Sequence, residues 1–402
     1  MITGYGASDS MQSFLANPDI QLNHWPEEDN DRQAHYGASF LFAAYFFQRY
    51  GEQATTTLVR DPDNGMKSVQ NTLESINAAD PTTGQPVTAD DLFMDWVVAN
   101  WLQNASVGDG CYGYDHPALR SMFSPRVTQE LEPYGAPAKL EVSQWGANYL
   151  EIPGGSVPER LRVSFQGSPT VSVVPAQAHS GSFMWWSNEG DNSDMRLTHS
   201  FDLTGVTSAT LNFWTWYYIE NLWDYAYVMV SADGGTTWMP MATSRTTEQD
   251  PHGNAYGPGY TGRGSGWVEE SIDLTPYAGQ LVLVRFEYIT DDAVTQPGML
   301  VDDVTIPEIG YSDDFENGAG DWQSEGWLLM DNVLPQDFAV QLIQTGNTAQ
   351  PVIHWLTRGD AVSGEWEITV GGQHGDATVI VSGLAPATSE PAVYTITVSP
   401  VE

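Results

Sequence analysis

The stretch 210–238, TLNFWTWYYIENLWDYAYVMVSADGGTTW, holds two runs crowded with aromatic and β-branched residues, 210–217 and 225–231, and then the turn Asp233-Gly234-Gly235. Short runs of this kind, bounded by Gly and Asp, read as strands joined by tight turns. The same texture recurs outward at 161–165, 267–272 and 281–288, which predicts an antiparallel sandwich. A second β region is expected from Tyr311 onward, closing with 377–381 and 392–398. No internal repeat is evident, which disfavours a solenoid or propeller.

The N-terminal quarter reads differently. The run 35–50, HYGASFLFAAYFFQRY, is apolar around almost its whole circumference, so a helix buried on all sides is expected, with Gly51 as its C-cap. Asp61 to Gly65 form a turn, after which Met66, Val69, Leu73 and Ile76 recur at helical spacing. Thr88 can cap a further helix whose first turn carries Asp90 and Asp91, where acids meet the positive dipole end. Leu92, Phe93, Trp96, Val97 and Trp101 would form its buried stripe. The expectation is therefore an α+β multidomain chain. Residues 1–110 would be helical, 111–137 a linker, 138–310 an antiparallel β-sandwich and 311–402 a small C-terminal β domain.

Composition narrows the function. Against 52 acidic residues there are only 14 basic ones, a net charge of −38. Such a field repels nucleic acid and anionic membranes and favours divalent cations. The single cysteine, Cys111, excludes an internal disulfide and reads as a partly buried thiol. No apolar run is long enough for a transmembrane helix. Residues 1–6, MITGYG, lack the basic and apolar regions of a signal peptide, so if the protein is secreted its export signal is expected with a missing front half, the alternative being that it never had one.

From Trp145 to Pro307 an ordered series of motifs resembles the jelly-roll module, related to MAM domains, of the immune inhibitor A metallopeptidases. It includes Trp186-Ser187-Asn188 with Gly190-Asp191, Phe201-Asp202-Leu203-Thr204, Phe213-Trp214-Thr215-Trp216, 224–228 (DYAYV), 231–238 (SADGGTTW), Arg285-Phe286-Glu287-Tyr288 and Val301-Asp302-Asp303-Val304. The helical part resembles the helices that follow the zinc ligands in gluzincin peptidases, through Tyr36-Gly37-Ala38-Ser39 and 88–93 (TADDLF). This resemblance implies an extracellular zinc endopeptidase acting on proteins, with residues 1–110 as the helical C-terminal part of its catalytic domain. Yet no HExxH occurs, and none of the eight histidines has another at i,i+4. The i,i+4 spacing is what puts two zinc ligands on one helix face. The zinc-binding half is expected before Met1 or on a separately encoded chain, and these residues alone are expected to be inactive.

The resemblance also places Tyr36, or failing that His35, where a gluzincin aims an oxyanion donor at the scissile carbonyl; the other reading of Tyr36 is a core aromatic. Carboxylates in the sandwich suggest calcium, a hard cation that takes six to eight oxygens. The candidates are Asn188, Asp191 and Asp194 in one loop, with Glu220, Asp224, Asp302 and Asp303 elsewhere, and the bland alternative is solvated turn acids. Against the peptidase reading stands a non-catalytic module that binds carbohydrate or a cell surface, for which Trp185, Trp186 and Trp223 are the aromatic candidates.

Overall fold

The computed structural model describes residues 9–26, 29–120, 122–133, 135–346, 351–357 and 362–401, so the segment 1–6 read for a signal peptide lies outside the described residues. Helix α1 spans Asp9–Ala16, α2 Asp29–Arg60, α3 Gly65–Ser75 and α4 Ala89–Leu102. Thr88 caps α4 as expected: its side chain accepts from Asp91 N–H, and the Asp91 carboxylate accepts from Thr88 N–H, a reciprocal capping box. Gly51 sits inside α2 at φ +79°, outside the helical region, and kinks it where a C-cap was expected.

The expectation of a helix buried on all sides is corrected. Ala38, Leu41, Phe42, Tyr45 and Phe46 are buried, but Tyr36, Ala43 and Phe47 are exposed along the opposite stripe. Aromatic residues at every turn cannot all find a partner when only one side of the helix is packed. Gly37 faces α1 so closely that an added Cβ would lie 2.0 Å from Ser10 O, which gives that glycine a packing role.

The chain divides into two units, Val174–Val333 and the combination of Met1–Val173 with Leu334–Glu402. In the second of these, one sheet has the order Gln129–Glu130, Asn148–Ile152, Asp376–Gly383, Phe338–Thr345, Val352–Thr357. The other runs Ala138–Val142, Ala392–Pro400, Glu159–Gly167, Ser363–Val370. The two share a core containing Leu150, Leu161, Val163, Phe165, Val340, Val379 and Ile396. The first sheet's other face packs on the helices through Tyr149, Ile343 and Ile380. Tyr149 hydroxyl donates to Val97 O of α4 at 2.9 Å, and its ring stacks on Trp101 at 5.3 Å. Covered on both faces, the strand Phe338–Thr345 is buried at six successive positions instead of alternating.

These pairings correct the expected boundaries. Residues 138–171 do not start the inserted sandwich; their strands pair with those of 334–402, and 311–330 add strands to the unit Val174–Val333. Nor is 111–137 a free linker, since Cys111, Tyr114, Leu119, Met122 and Leu131 are buried and Gln129–Glu130 joins a sheet. Alternation along a strand reports which face is buried, not which distant strand lies beside it.

The unit Val174–Val333 is itself a two-sheet antiparallel sandwich. One sheet has the order Met239–Pro240, Tyr225–Ser231, Leu281–Ile289, Asp194–Asp202, Gln323–Glu325. The other has the order Val268–Asp273, Thr210–Tyr218, Gly298–Ile306, Met184–Trp186, Leu328–Met330. Leu197, Phe213, Val228, Phe286, Met299, Val301 and Trp327 fill the space between them. The described protein is thus mostly β with four helices, as a sandwich reading of the sequence requires.

Candidate metal centre

Strands of a sandwich end together, so the loops that leave them converge at its edge. Here the loop after Met184–Trp186, the loop between Thr210–Tyr218 and Tyr225–Ser231, and the loop after Leu281–Ile289 meet. Hydrogen bonds fix them to one another. Asn192 N–H donates to Asp291 O at 2.5 Å, Thr290 N–H to Ser193 O at 3.0 Å, and Thr290 hydroxyl to Gly190 O at 2.6 Å. Between Glu220 and Asp224, Leu222 adopts φ +63°, a left-handed conformation that a bulky residue enters only in a tight turn.

This convergence brings the carboxylates of Glu220, Asp224 and Asp291 together, with one oxygen from each within 4.8 Å of the others. Two oxygens that share a calcium ion at about 2.4 Å each are separated by at most about 4.8 Å, so the spacing suits one ion. Glu220 and Asp224 are buried and Asp291 is half-buried. Asp224 accepts Asp291 N–H at 2.8 Å through one oxygen and the Tyr288 hydroxyl at 3.4 Å through the other. Burial, reinforced by the charges of Asp291 and Asp191, nevertheless pushes its carboxyl up to about 7. Three acids whose oxygens lie this close are an arrangement a divalent cation would neutralise.

Of the residues expected from the sequence, Glu220 and Asp224 enter this cluster. Asp191 stands beside it, accepting Thr295 hydroxyl at 2.7 Å, and Asn188 heads the same loop at φ +66° with its side-chain oxygen held by Glu189 N–H. Asp291 was missed; its signal was the pair Asp291-Asp292 directly after an aromatic strand. Asp194, Asp302 and Asp303 are corrected. Asp194 forms an ion pair with Arg196. A register shift after Asp302 turns it and Asp303 toward 179–180, where Asp302 accepts His179 N–H and Ser180 N–H, and Asp303 accepts Ser180 hydroxyl and contacts His179 Nδ1. Burial raises the Asp302 carboxyl to about 6, and hydrogen bonding to those backbone groups opposes the rise.

A zinc site of the expected kind does not fit these residues. Among the described residues the triad is the one group of three or more metal-binding side chains close enough to share an ion, and it contains no histidine. His24 and His35 line a cavity of about 580 Å³ with Asp19 but are not in that group. His35 is buried; Tyr36 is 54% exposed and packs edge-on against Trp25 at 4.8 Å, which corrects its reading as a core aromatic. Trp185 and Trp186 are buried, so they are not a sugar platform. Trp223 is exposed and lies flat against His252 at 3.6 Å.

The unit that carries these acids is a two-sheet antiparallel sandwich with acidic loops gathered at one edge. Residues 157–331 match the family described as Immune inhibitor A-like, MAM domain, so this segment is an immune inhibitor A-like module. The pre-pro-metalloprotease PrtV of Vibrio cholerae serotype O1 is 29% identical over 182 residues, 45% of this chain and 19% of that protein. Immune inhibitor A of Bacillus thuringiensis subsp. alesti is 31% identical over 190 residues, 46% of this chain and 26% of its own length. Bacillopeptidase F of Bacillus subtilis is 30% identical over 101 residues, 25% of this chain and 6% of the relative. The aligned part therefore spans about a quarter or less of each of these relatives.

Proposed function

We propose that these residues are the accessory portion of an extracellular, immune inhibitor A-like zinc metalloendopeptidase acting on proteins, that they hold no zinc site of their own, and that calcium locks their MAM sandwich. The observation that carries this reading is the convergence of Glu220, Asp224 and Asp291 inside the segment that matches the immune inhibitor A-like MAM family. An all-carboxylate donor set completed by loop carbonyls suits a hard cation, and its flexible geometry suits calcium over magnesium. Bound calcium would pin three loops that belong to both sheets.

The helices would be the part of a gluzincin-type lobe that packs behind its zinc-binding helices. The exposed stripe of Tyr36, Ala43 and Phe47 on α2 supports this, because a helix face of that composition is normally covered. Its partner would be the zinc-bearing half, including one encoded separately. Tyr36 would then offer its hydroxyl as the oxyanion donor, a role worth about 3 kcal/mol where such donors have been removed.

Casein hydrolysis by the purified chain with added zinc is expected to equal that of buffer. Turnover abolished by a chelator and restored by zinc overturns the assignment. Millimolar calcium is expected to raise the melting temperature, with a stabilisation of about 2.7 kcal/mol at a hundredfold excess over Kd. An unchanged melt overturns the calcium half of the reading and leaves the peptidase half standing.

A further inference from the structure

In the unit Val174–Val333, one sheet face looks away from the core. Leu197, Val228 and Phe286 point inward and are fully buried. Their neighbours one residue away must point outward, because successive side chains alternate across a strand. The register aligns these outward residues in rows. Tyr227, Glu287, Arg196 and Glu325 form one row, and Met229, Arg285, Thr198 and Gln323 the next; Tyr227, Met229 and Glu287 are buried, the first two beneath Trp238 and Ala255. Four strands at about 4.8 Å spacing make this face about 14 Å wide.

The face is hollowed. A depression of about 650 Å³ bordered by Met229, Tyr256 and Glu287 lies beside one of about 530 Å³ bordered by Thr198, Arg285 and Gln323, and Trp238 lines both. Trp238 is held in place: its indole N–H donates to Gly235 O at 3.1 Å, and the Arg285 guanidinium lies 3.8 Å from its ring centre. Tyr256 is 68% exposed. The polar groups hold one another as well. Arg196 Nε donates to Glu287 Oε1 at 2.9 Å, and Arg285 Nε to Thr198 hydroxyl at 3.1 Å.

We propose that this face is a saccharide-binding cleft, in which Trp238 and Tyr256 stack on the C–H faces of sugar rings while Arg196, Arg285 and Gln323 read their hydroxyls, with Glu287 buried beneath the two arginines to hold them. Sugar recognition needs aromatic faces and fixed planar donors and acceptors on a rigid support, and all of them are present on these strands. A guanidinium carries five donors, so each arginine keeps N–H groups to offer after its protein contacts are made. The ligand is an uncharged oligosaccharide. The two arginines are matched by carboxylates beside them, and a chain of net charge −38 repels anionic polymers. The width suits several rings better than one.

This site stands on residues other than the carboxylate triad, but the loops around 192–193 and Thr290 border both, so binding is measured with calcium and with EDTA. The full chain is titrated by calorimetry with cellohexaose, chitohexaose and mannohexaose, and with a casein tryptic peptide pool. The expected result is binding of at least one hexaose, weakened about tenfold or more by Tyr256→Ala and by Trp238→Ala, and unchanged by Trp223→Ala. Tyr256 is exposed, so its variant keeps the wild-type melting temperature and separates lost contact from lost fold. No hexaose bound at millimolar concentration in calcium or EDTA overturns the proposal. So does binding that Tyr256→Ala leaves intact, or binding of the peptides alone. Binding in EDTA without any calcium effect on the melt supports the cleft while overturning the metal centre.

Discussion

Replacing Asp224 by Asn probes the metal centre where an ionised carboxylate is hardest to hold. In the cation-free protein its carboxyl stands at about 7 instead of 3.8, chiefly through burial and then through the charges of Asp291 and Asp191. The native state thus keeps a proton that the unfolded chain releases near pH 4, so this group's contribution is fully present below about pH 4 and is lost as the pH rises to about 7. Calcium reverses the trend, because its ligands must be ionised and binding below about pH 7 expels that proton. Between about pH 5 and pH 7 the expelled proton is worth about 2 kcal/mol at most, and about 1–2 kcal/mol once solvent around the loops is allowed for. For a unit of this size each kcal/mol moves the melting temperature by about 2–4 °C. The rise produced by saturating calcium is therefore expected to be roughly 2–8 °C larger at pH 7 than at pH 5, read by scanning calorimetry of the full chain. Asp224→Asn keeps an oxygen to accept Asp291 N–H but carries no charge. In EDTA at pH 7 the variant is expected to be at least as stable as the wild type, with a small calcium response that no longer depends on pH. A wild-type melt indifferent to calcium, or a variant that matches the wild type at both pH values, refutes the reasoning.

Three further outcomes are expected. Asp95 of α4 is pushed up to about 7, chiefly by burial and against the pull of Arg49, so it too costs stability as the pH rises from about 4 to about 7; Asp95→Asn should gain about 1–3 kcal/mol in urea unfolding at pH 8 and nothing at pH 4. Thr88→Ala removes one side of the capping box and should cost about 0.5–2 kcal/mol by the same measurement, with Thr88→Ser close to wild type. Gly298 holds φ +82° with an added Cβ only 2.3 Å from Ser187 Oγ and 2.9 Å from Asn188 O, so Gly298→Ala should destabilise by about 1 kcal/mol or more and weaken any calcium response through the 187–193 loop.

Much of the inserted sandwich was legible because its signals are local. The runs 210–217, 225–231 and 281–288 became strands within a residue or two, since aromatic and β-branched side chains fit a pleated, half-buried surface wherever it lies. Thr88 and Asp91 gave the start of α4 for a similar reason: the capping box is closed within four residues. The exposed stripe of α2 was not legible. Its residues are as apolar as those of the buried side, and only the position of α1 and the sheet decides which of them are covered.

The sequence by itself determined the strand-rich class, the helical beginning, the acidic character and the lack of an HExxH motif, because each depends on residue type and short spacing. The tertiary structure decided the rest. It paired 138–171 with 334–402, segments separated in sequence by the whole unit Val174–Val333, a long-range closure that no local pattern encodes. It also sorted the acids: Asp194 went to Arg196, Asp302 and Asp303 to the 179–180 backbone and side chains, and Glu220, Asp224 and Asp291 to one another. A carboxylate's fate follows from which loops the strand order brings to the same edge of the sandwich, and strand order is a property of the whole chain.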